Sequence, residues 1–183
     1  SGLPDNVKED QELIKKLGHF WYADKVMAEF IRDMRQQYPD SLFIIVGDHA
    51  DRLNIQLNPS LYERYGIPFI VYGKGIDKNV FSKEVAGSHI NVSPTILELL
   101  SPPGFVYYSL GESMTRGNGV GFNYGFWVTH DSIGKIGSDS KESMDGIKMT
   151  SALEENFIQR DIDARRAMSW WRIKNGKNMK MIE

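Results

Sequence analysis

The stretch Ser41-Leu42-Phe43-Ile44-Ile45-Val46-Gly47-Asp48-His49-Ala50-Asp51-Arg52 constrains this chain more than any other. A short apolar run rich in β-branched residues predicts a strand buried on both faces. Gly47 lets the backbone turn sharply where the strand ends. The carboxylate of Asp48 and the imidazole of His49 then sit at the carboxyl edge of a sheet, where open α/β sheets place their ligands. Ionisable groups directly after a buried strand are costly unless partnered, and a divalent cation is a good partner for both. Binding requires the carboxylate and the neutral imidazole. Two donors do not complete a catalytic site, which needs about three protein ligands and one open position. As an isolated dipeptide, Asp-His reads more readily as a turn cap beside a packed or solvated histidine; its place directly after a buried strand is what shifts the weight to a metal.

The elements around this stretch alternate between helix and strand. Tyr22, Val26, Phe30 and Met34 recur every four residues, with Met27, Ile31 and Tyr38 widening the stripe, so a helix is expected over 19–38. Pro39 ends it. The polar loop from Ala50 to Gly66 is long enough to be functional. A second strand is expected over 67–73, with Pro68 near its start, where a missing N–H is tolerated. A helix follows from Asn91, read as its N-cap with Pro94 in the first turn, and Ser101-Pro102-Pro103-Gly104 stops it. Beyond Phe105 the composition shifts. Phe105 to Leu110 reads as a strand or an irregular apolar segment. Two short strands are expected over 122–129 and 133–136, joined by a turn at His130-Asp131-Ser132, then a polar loop over 137–148. A terminal helix spans about 152–171, with Ser151 and Glu154 as a capping box. The fold class is therefore α/β: a central sheet with flanking helices over about 19–104, and a small C-terminal β-hairpin region with a terminal helix over 105–183.

Composition excludes several functions. A net charge of −2 from 22 basic and 24 acidic residues leaves no footprint of nucleic-acid binding. No cysteine is present, so thiolate metal sites and disulfides are excluded. No apolar run is long enough to cross a bilayer. The 183 residues, 41% of them hydrophobic, suffice for one domain or a domain with an appendage. Ser1 is not an initiator, which predicts a processed or excised piece of a longer chain.

Other candidates are weaker. His89, just before a helix, is a candidate second ligand or hydrogen-bond donor to one; the bland reading is a turn histidine. Arg52 is a candidate contact for an anionic group, or an ordinary loop arginine. Thr129-His130-Asp131 reads as a solvated hairpin turn, and His19 as packing at a helix start. Gly117-Asn118-Gly119-Val120-Gly121 lacks the following helix of a dinucleotide fingerprint. Trp170-Trp171 reads as a packing or subunit contact. No serine sits in a nucleophile-elbow pattern.

Three stretches together resemble the alkaline phosphatase superfamily, in its sulfatase and lipoteichoic-acid-synthase-like branch. They are Trp21 to Ile31, then Phe43-Ile44-Ile45-Val46-Gly47-Asp48-His49, then Ile67 to Gly73 with His89 to Leu97. Tyr108 to Met114 is similar, more faintly, to the segment after that family's helix. The resemblance implies a partial alkaline-phosphatase-like sandwich acting on anionic phosphate or sulfate esters through one or two divalent cations (Mn, Zn, Ca or Mg). By the same resemblance Asp48 and His49 are metal ligands, while the nucleophile and an acidic ligand lie in an N-terminal half absent here. None of Thr95, Thr115, Thr129 and Thr150 lies in the nucleophile's context, so no catalytic residue is assigned in this chain. The expectation is a C-terminal portion, residues 1–183, of a metal-dependent phospho- or sulfo-ester hydrolase or transferase, inactive alone, its metal absent or weakly held. Its partner would be the missing half, and exposed apolar surface would favour self-association. The parent protein would work at the extracytoplasmic face of a bacterial membrane, with no membrane segment in this chain. Asn91 stands where the resembled family usually carries Asp, and Ala50-Asp51-Arg52 where many members have Gly or Thr. The alternative is a non-catalytic α/β binding or regulatory domain.

Overall fold

A computed structural model describes residues 11–50, 58–117, 119–137, 141–143 and 152–176. The chain forms two compact units, Ser1–Asp77 and Lys78–Glu183.

The first unit holds helix α1 (Gln11–Gln37), strand β1 (Leu42–Val46), the short helix α2 (Leu61–Tyr65) and strand β2 (Phe69–Gly73). β1 and β2 pair antiparallel, from Leu42 opposite Gly73 to Val46 opposite Phe69. Pro68 has no N–H, but its carbonyl accepts the Gly47 N–H at 3.1 Å and closes the ladder. A side chain at Gly47 would begin 3.1 Å from Ile67 Cβ and 3.2 Å from Pro68 Cδ, so those side chains would have to give by a few tenths of an ångström to admit one. β1 is not buried on both faces, as its apolar run predicts. Leu42 to Ile45 are half-buried and Val46 is exposed, because among the described residues β1 has a partner strand on one side only.

α1 starts earlier than its apolar stripe implies and passes unbroken through Gly18, where nothing crowds the backbone. The half-buried row is Met27, Ile31 and Met34, while Tyr22, Val26 and Phe30 are exposed. The two rows are neighbours on the helix, and the two-stranded sheet is too narrow to cover both. An open groove of about 550 Å³ lies between α1 and the two-stranded sheet, lined by Ala28, Ile31, Arg35, Ile45, Ile70 and Tyr72 among others. Arg35 spans it, donating to the Tyr72 hydroxyl with its guanidinium carbon 4.9 Å from the ring centroid. α2 falls inside the stretch expected to be irregular. Ser60 and Glu63 form its reciprocal capping box, with Ser60 N–H donating to Glu63 Oε2 at 2.9 Å and Glu63 N–H to Ser60 Oγ at 3.2 Å.

The second unit contains helix α3 (His89–Leu100), a 3-10 turn (Met114–Arg116), strands β3 (Gly121–Phe122), β4 (Phe126–Val128), β5 (Ser132–Lys135) and β6 (Lys141–Ser143), and helix α4 (Ala152–Asn175). The four strands form an antiparallel meander in chain order. The region expected as one strand over 122–129 folds back on itself, because Asn123 Oδ1 accepts the N–H groups of Gly125 and Phe126, both at 2.8 Å. The turn at His130–Asp131 is a hairpin turn, fixed by Thr129 N–H to Ser132 O at 2.8 Å and by Thr129 Oγ1 to Asp131 Oδ1 at 2.6 Å. β6 lies within the expected polar loop. Phe105 to Leu110 is irregular, and Ser151 of the expected capping box lies outside the described residues.

The core of this unit is Trp127 from β4 against Ile158 and Ile162 of α4, edged by Val120, Phe122 and Ile136. Gly134 sits opposite Trp127 in the ladder, and any side chain there would start 2.5 Å from the indole. The sheet thus leaves one position empty so that the indole can lie flat across it. Arg165 ties α4 to the preceding segment, donating to Leu110 O at 2.6 Å and to Asp161 at 2.8 Å.

Candidate metal-ligand pair and its neighbourhood

Asp48 and His49 lie just past the carboxyl end of β1, as expected from the end of the apolar run, and Gly47 itself has no left-handed backbone. Their side chains stay together: His49 Nε2 is 3.6 Å from Asp48 Oδ2, and the His49 N–H donates to Asp48 Oδ1 at 2.9 Å. The Asp48 side chain is 91% exposed and that of His49 41%. Asp48 Oδ2 and the imidazole therefore face outward from the strand end, reachable from solvent. Carboxylate oxygen and imidazole nitrogen are the right donor types for a divalent cation. No group of three or more His, Asp or Glu side chains that could hold an ion occurs among the described residues. The pair fits a cation as part of a donor set and does not form a complete centre by itself.

The other sequence candidates fall elsewhere. Arg52 lies outside the described residues. His89 is the first residue of α3 in the second unit and is exposed. His19 lies within α1 rather than at a helix start, and it is exposed rather than packed.

A model of the family described as Sulfatase matches residues 4–102, more than half of the chain. The chain belongs to the sulfatase family. That places it in the alkaline-phosphatase-like superfamily, whose sulfatase members generally use a divalent metal and act on sulfate esters. The matched span includes Asp48, His49, Arg52 and His89, and it ends two residues past α3. Neither curated proteins nor solved structures yield a match.

Within that span, α3 differs from its sequence reading in a way that bears on Asn91. The N-cap is Ser88, and Asn91 is the third helical residue. Asn91 is 2% exposed and uses both ends of its amide. Oδ1 accepts the Ser88 N–H at 2.8 Å and Nδ2 donates to Glu112 O at 3.0 Å. Thr95, fully buried one turn on, donates to Asn91 O at 2.6 Å and accepts the Met114 N–H at 2.9 Å. Pro94 is thus inside the helix, not in its first turn, and leaves the Ile90 carbonyl without its usual i+4 donor. Gly111 packs against that carbonyl so closely that a side chain would start 2.2 Å from the oxygen. Asn91, Thr95 and Gly111 together join α3 to the 110–114 segment.

A second polar cluster lies on the same helix. Glu98 accepts from Arg116 Nε at 2.7 Å and from Thr115 Oγ1 at 2.7 Å. These bonds, the guanidinium's first and the hydroxyl's second, hold the Glu98 carboxyl well below its ordinary 4.5, at about 2. Burial, and then the charge of Glu98, push the Tyr107 hydroxyl upward. Both acceptor oxygens of Glu98 are occupied, so the cluster braces the 3-10 turn against α3. Neither cluster is announced by a motif. The one readable signal is the Ser88-x-x-Asn91 spacing, a capping pattern with Asn in place of Glu.

Proposed function

We propose that this chain is part of a metal-dependent ester hydrolase or transferase of the sulfatase family, in which Asp48 and His49 supply two of the metal donors. The observation that carries the reading is the Gly47-Asp48-His49 turn at the carboxyl end of β1, within the matched span, with a carboxylate oxygen and an imidazole nitrogen adjacent and open to solvent. Other donors and the nucleophile come from a segment upstream of Ser1. When bound, the cation lowers the nucleophile's pKa and offsets charge on the transferring sulfate or phosphate group. The His49 N–H bond to Asp48 Oδ1 orients the carboxylate. Arg52, three residues past His49 in the sequence, is the candidate contact for the anionic group of the substrate.

The finer reading is a phosphoglycerol-transferase-like member, working at the extracytoplasmic face of a bacterial membrane and tethered there by upstream sequence. Among the described residues no helix is long and apolar enough to cross a membrane. In this reading the exposed row Tyr22, Val26 and Phe30 on α1 is covered by the upstream half, and the 183-residue chain alone is inactive.

The test uses two proteins. A chain extended upstream is assayed against aryl sulfate and aryl phosphate esters with Mn²⁺, Zn²⁺, Ca²⁺ or Mg²⁺; metal-dependent turnover of either is expected, and Asp48→Ala should abolish it. The 183-residue chain is titrated with Mn²⁺ by calorimetry; weak binding that Asp48→Ala removes is expected. Full activity in the extended Asp48→Ala protein would sink the assignment and favour a non-catalytic binding or regulatory domain.

A further inference from the structure

The last two turns of α4 carry a feature that ester chemistry does not use. Trp170 is 65% exposed, Trp171 57% and Ile173 74%. The buried part of the helix lies earlier, at Ile158 and Ile162, and among the described residues no core forms at this end. The charge around it is one-sided. Between Asp163 and Glu183 the sequence has Arg165, Arg166, Arg172, Lys174, Lys177 and Lys180 and no acidic residue. Arg165 and Arg166 are engaged inside the unit, the first with Asp161 and Leu110 O and the second with the carbonyls of Asn123 and Tyr124. Among the described residues Arg172 and Lys174 pair with no carboxylate, and Lys174 is exposed. Trp170, Ile173 and Lys174 are spaced to share one side of the helix.

Tryptophan rings flanked by cations, in a stretch of sequence with no acidic residue, match the chemistry of a lipid headgroup layer. The indole settles at the boundary between headgroup and acyl chain, while Lys and Arg reach anionic phosphates. A protein partner would be expected to meet the tryptophans with a complementary apolar pocket and the cations with carboxylates. A second copy of this end repeats the same positive charge and repels it. We propose that the C-terminal end of α4 is a peripheral docking surface for an anionic bilayer, with Trp170, Trp171 and Ile173 entering the interface and Arg172 and Lys174 binding lipid phosphates.

The test is sedimentation of the full chain with vesicles of phosphatidylcholine alone and of phosphatidylcholine with phosphatidylglycerol. Binding is expected only to the anionic vesicles and should weaken as salt rises. Arg172→Glu with Lys174→Glu should lower partitioning about 30-fold or more, from about five-fold for each cation removed. Trp170→Ala with Trp171→Ala should also weaken it, and bromine-labelled lipid should quench fluorescence in the parent protein but not in this variant. Far-UV circular dichroism matched to the parent excludes a folding defect, and single variants serve if the double ones do not fold. Absence of binding to anionic vesicles would overturn the proposal. So would equal binding to neutral vesicles, unaltered binding in either double variant, or concentration-dependent dimerisation through the tryptophans without vesicle binding.

Discussion

Replacing Asn91 with the Asp that the resembled family usually carries is predicted to destabilise this protein, and to do so less at low pH. The cap would survive the change, since a carboxylate oxygen accepts the Ser88 N–H as well as the amide oxygen does at 2.8 Å. A negative charge in the first turn even gains about 0.3–1 kcal/mol from the helix dipole. The other end of the side chain decides the outcome. Nδ2 donates to Glu112 O at 3.0 Å, and Asn91→Asp sets a second oxygen against that carbonyl at a position 2% exposed. The lost bond costs about 1 kcal/mol, and the unpaired carbonyl and buried charge add about 1–3 kcal/mol. The net expectation is a loss of about 2 kcal/mol at pH 7.5. Burial and the facing carbonyl raise the folded-state pKa of the introduced carboxyl above its unfolded value of about 3.9. A raised acid favours folding in its protonated form, so the penalty is complete above the folded pKa and fades as pH falls toward about 4. A protonated carboxyl can donate to Glu112 O again. Urea denaturation followed by circular dichroism at pH 7.5 and pH 4, together with amide exchange along α3, reads both effects. Asn91→Ala loses both bonds and should show no such pH dependence. If Asn91→Asp is as stable as the parent at pH 7.5, or its deficit grows on acidification, the two-ended role of Asn91 is wrong.

Glu98 gives the opposite pH sign. Its carboxyl is held at about 2, below its ordinary 4.5, so its contribution is present above about 4.5 and is lost as pH falls toward 2. Because Arg116 is 64% exposed, the contribution is discounted for solvent screening to about 1 kcal/mol. Glu98→Gln should therefore lower the urea midpoint at pH 7 and leave it unchanged near pH 2. Gly134→Ala places a methyl 2.5 Å from the Trp127 ring and should cost about 2–3 kcal/mol by overpacking, with a shift in the Trp127 indole N–H resonance. A parent-like melting temperature in Gly134→Ala would refute the flat-indole account of this sheet.

The sequence and the structure agree where one local force dominates. The apolar run into Gly47, the stop at Pro39 and the hairpin at Thr129–Ser132 each rest on residues within a few positions of one another. They differ where a distant partner decides. Asn91 has the chemistry of a cap, but the amide of Ser88 and the carbonyl of Glu112 make it the third helical residue, and only the fold brings residue 112 to that point. Phe122 to Thr129 is rich in aromatic and β-branched residues like one strand, yet Asn123 captures two N–H groups and turns it into a hairpin. Ser60-x-x-Glu63 was a readable capping box, hidden by the polar loop composition around it. The stripe on α1 identified the helix but not which of its two apolar rows is covered, because burial depends on what lies opposite.

The same distinction governs the candidate site. Donor type and position are local properties: a strand end, a glycine, a carboxylate and an imidazole in succession. Those features put Asp48 and His49 in the sequence reading, and in the structure the two side chains stand 3.6 Å apart at the end of β1. Completeness is not local. A metal centre is assembled from elements that the fold brings together, and among the described residues no third carboxylate or imidazole joins the pair. A pair this exposed also gains nothing from ordering by burial, so a cation held by it alone would compete directly with water. On the proposed reading a third donor comes from outside the described residues. It also sets the order of experiments. Metal affinity should rise when the chain is extended upstream, before any turnover is sought, because donors must converge before a nucleophile can be activated.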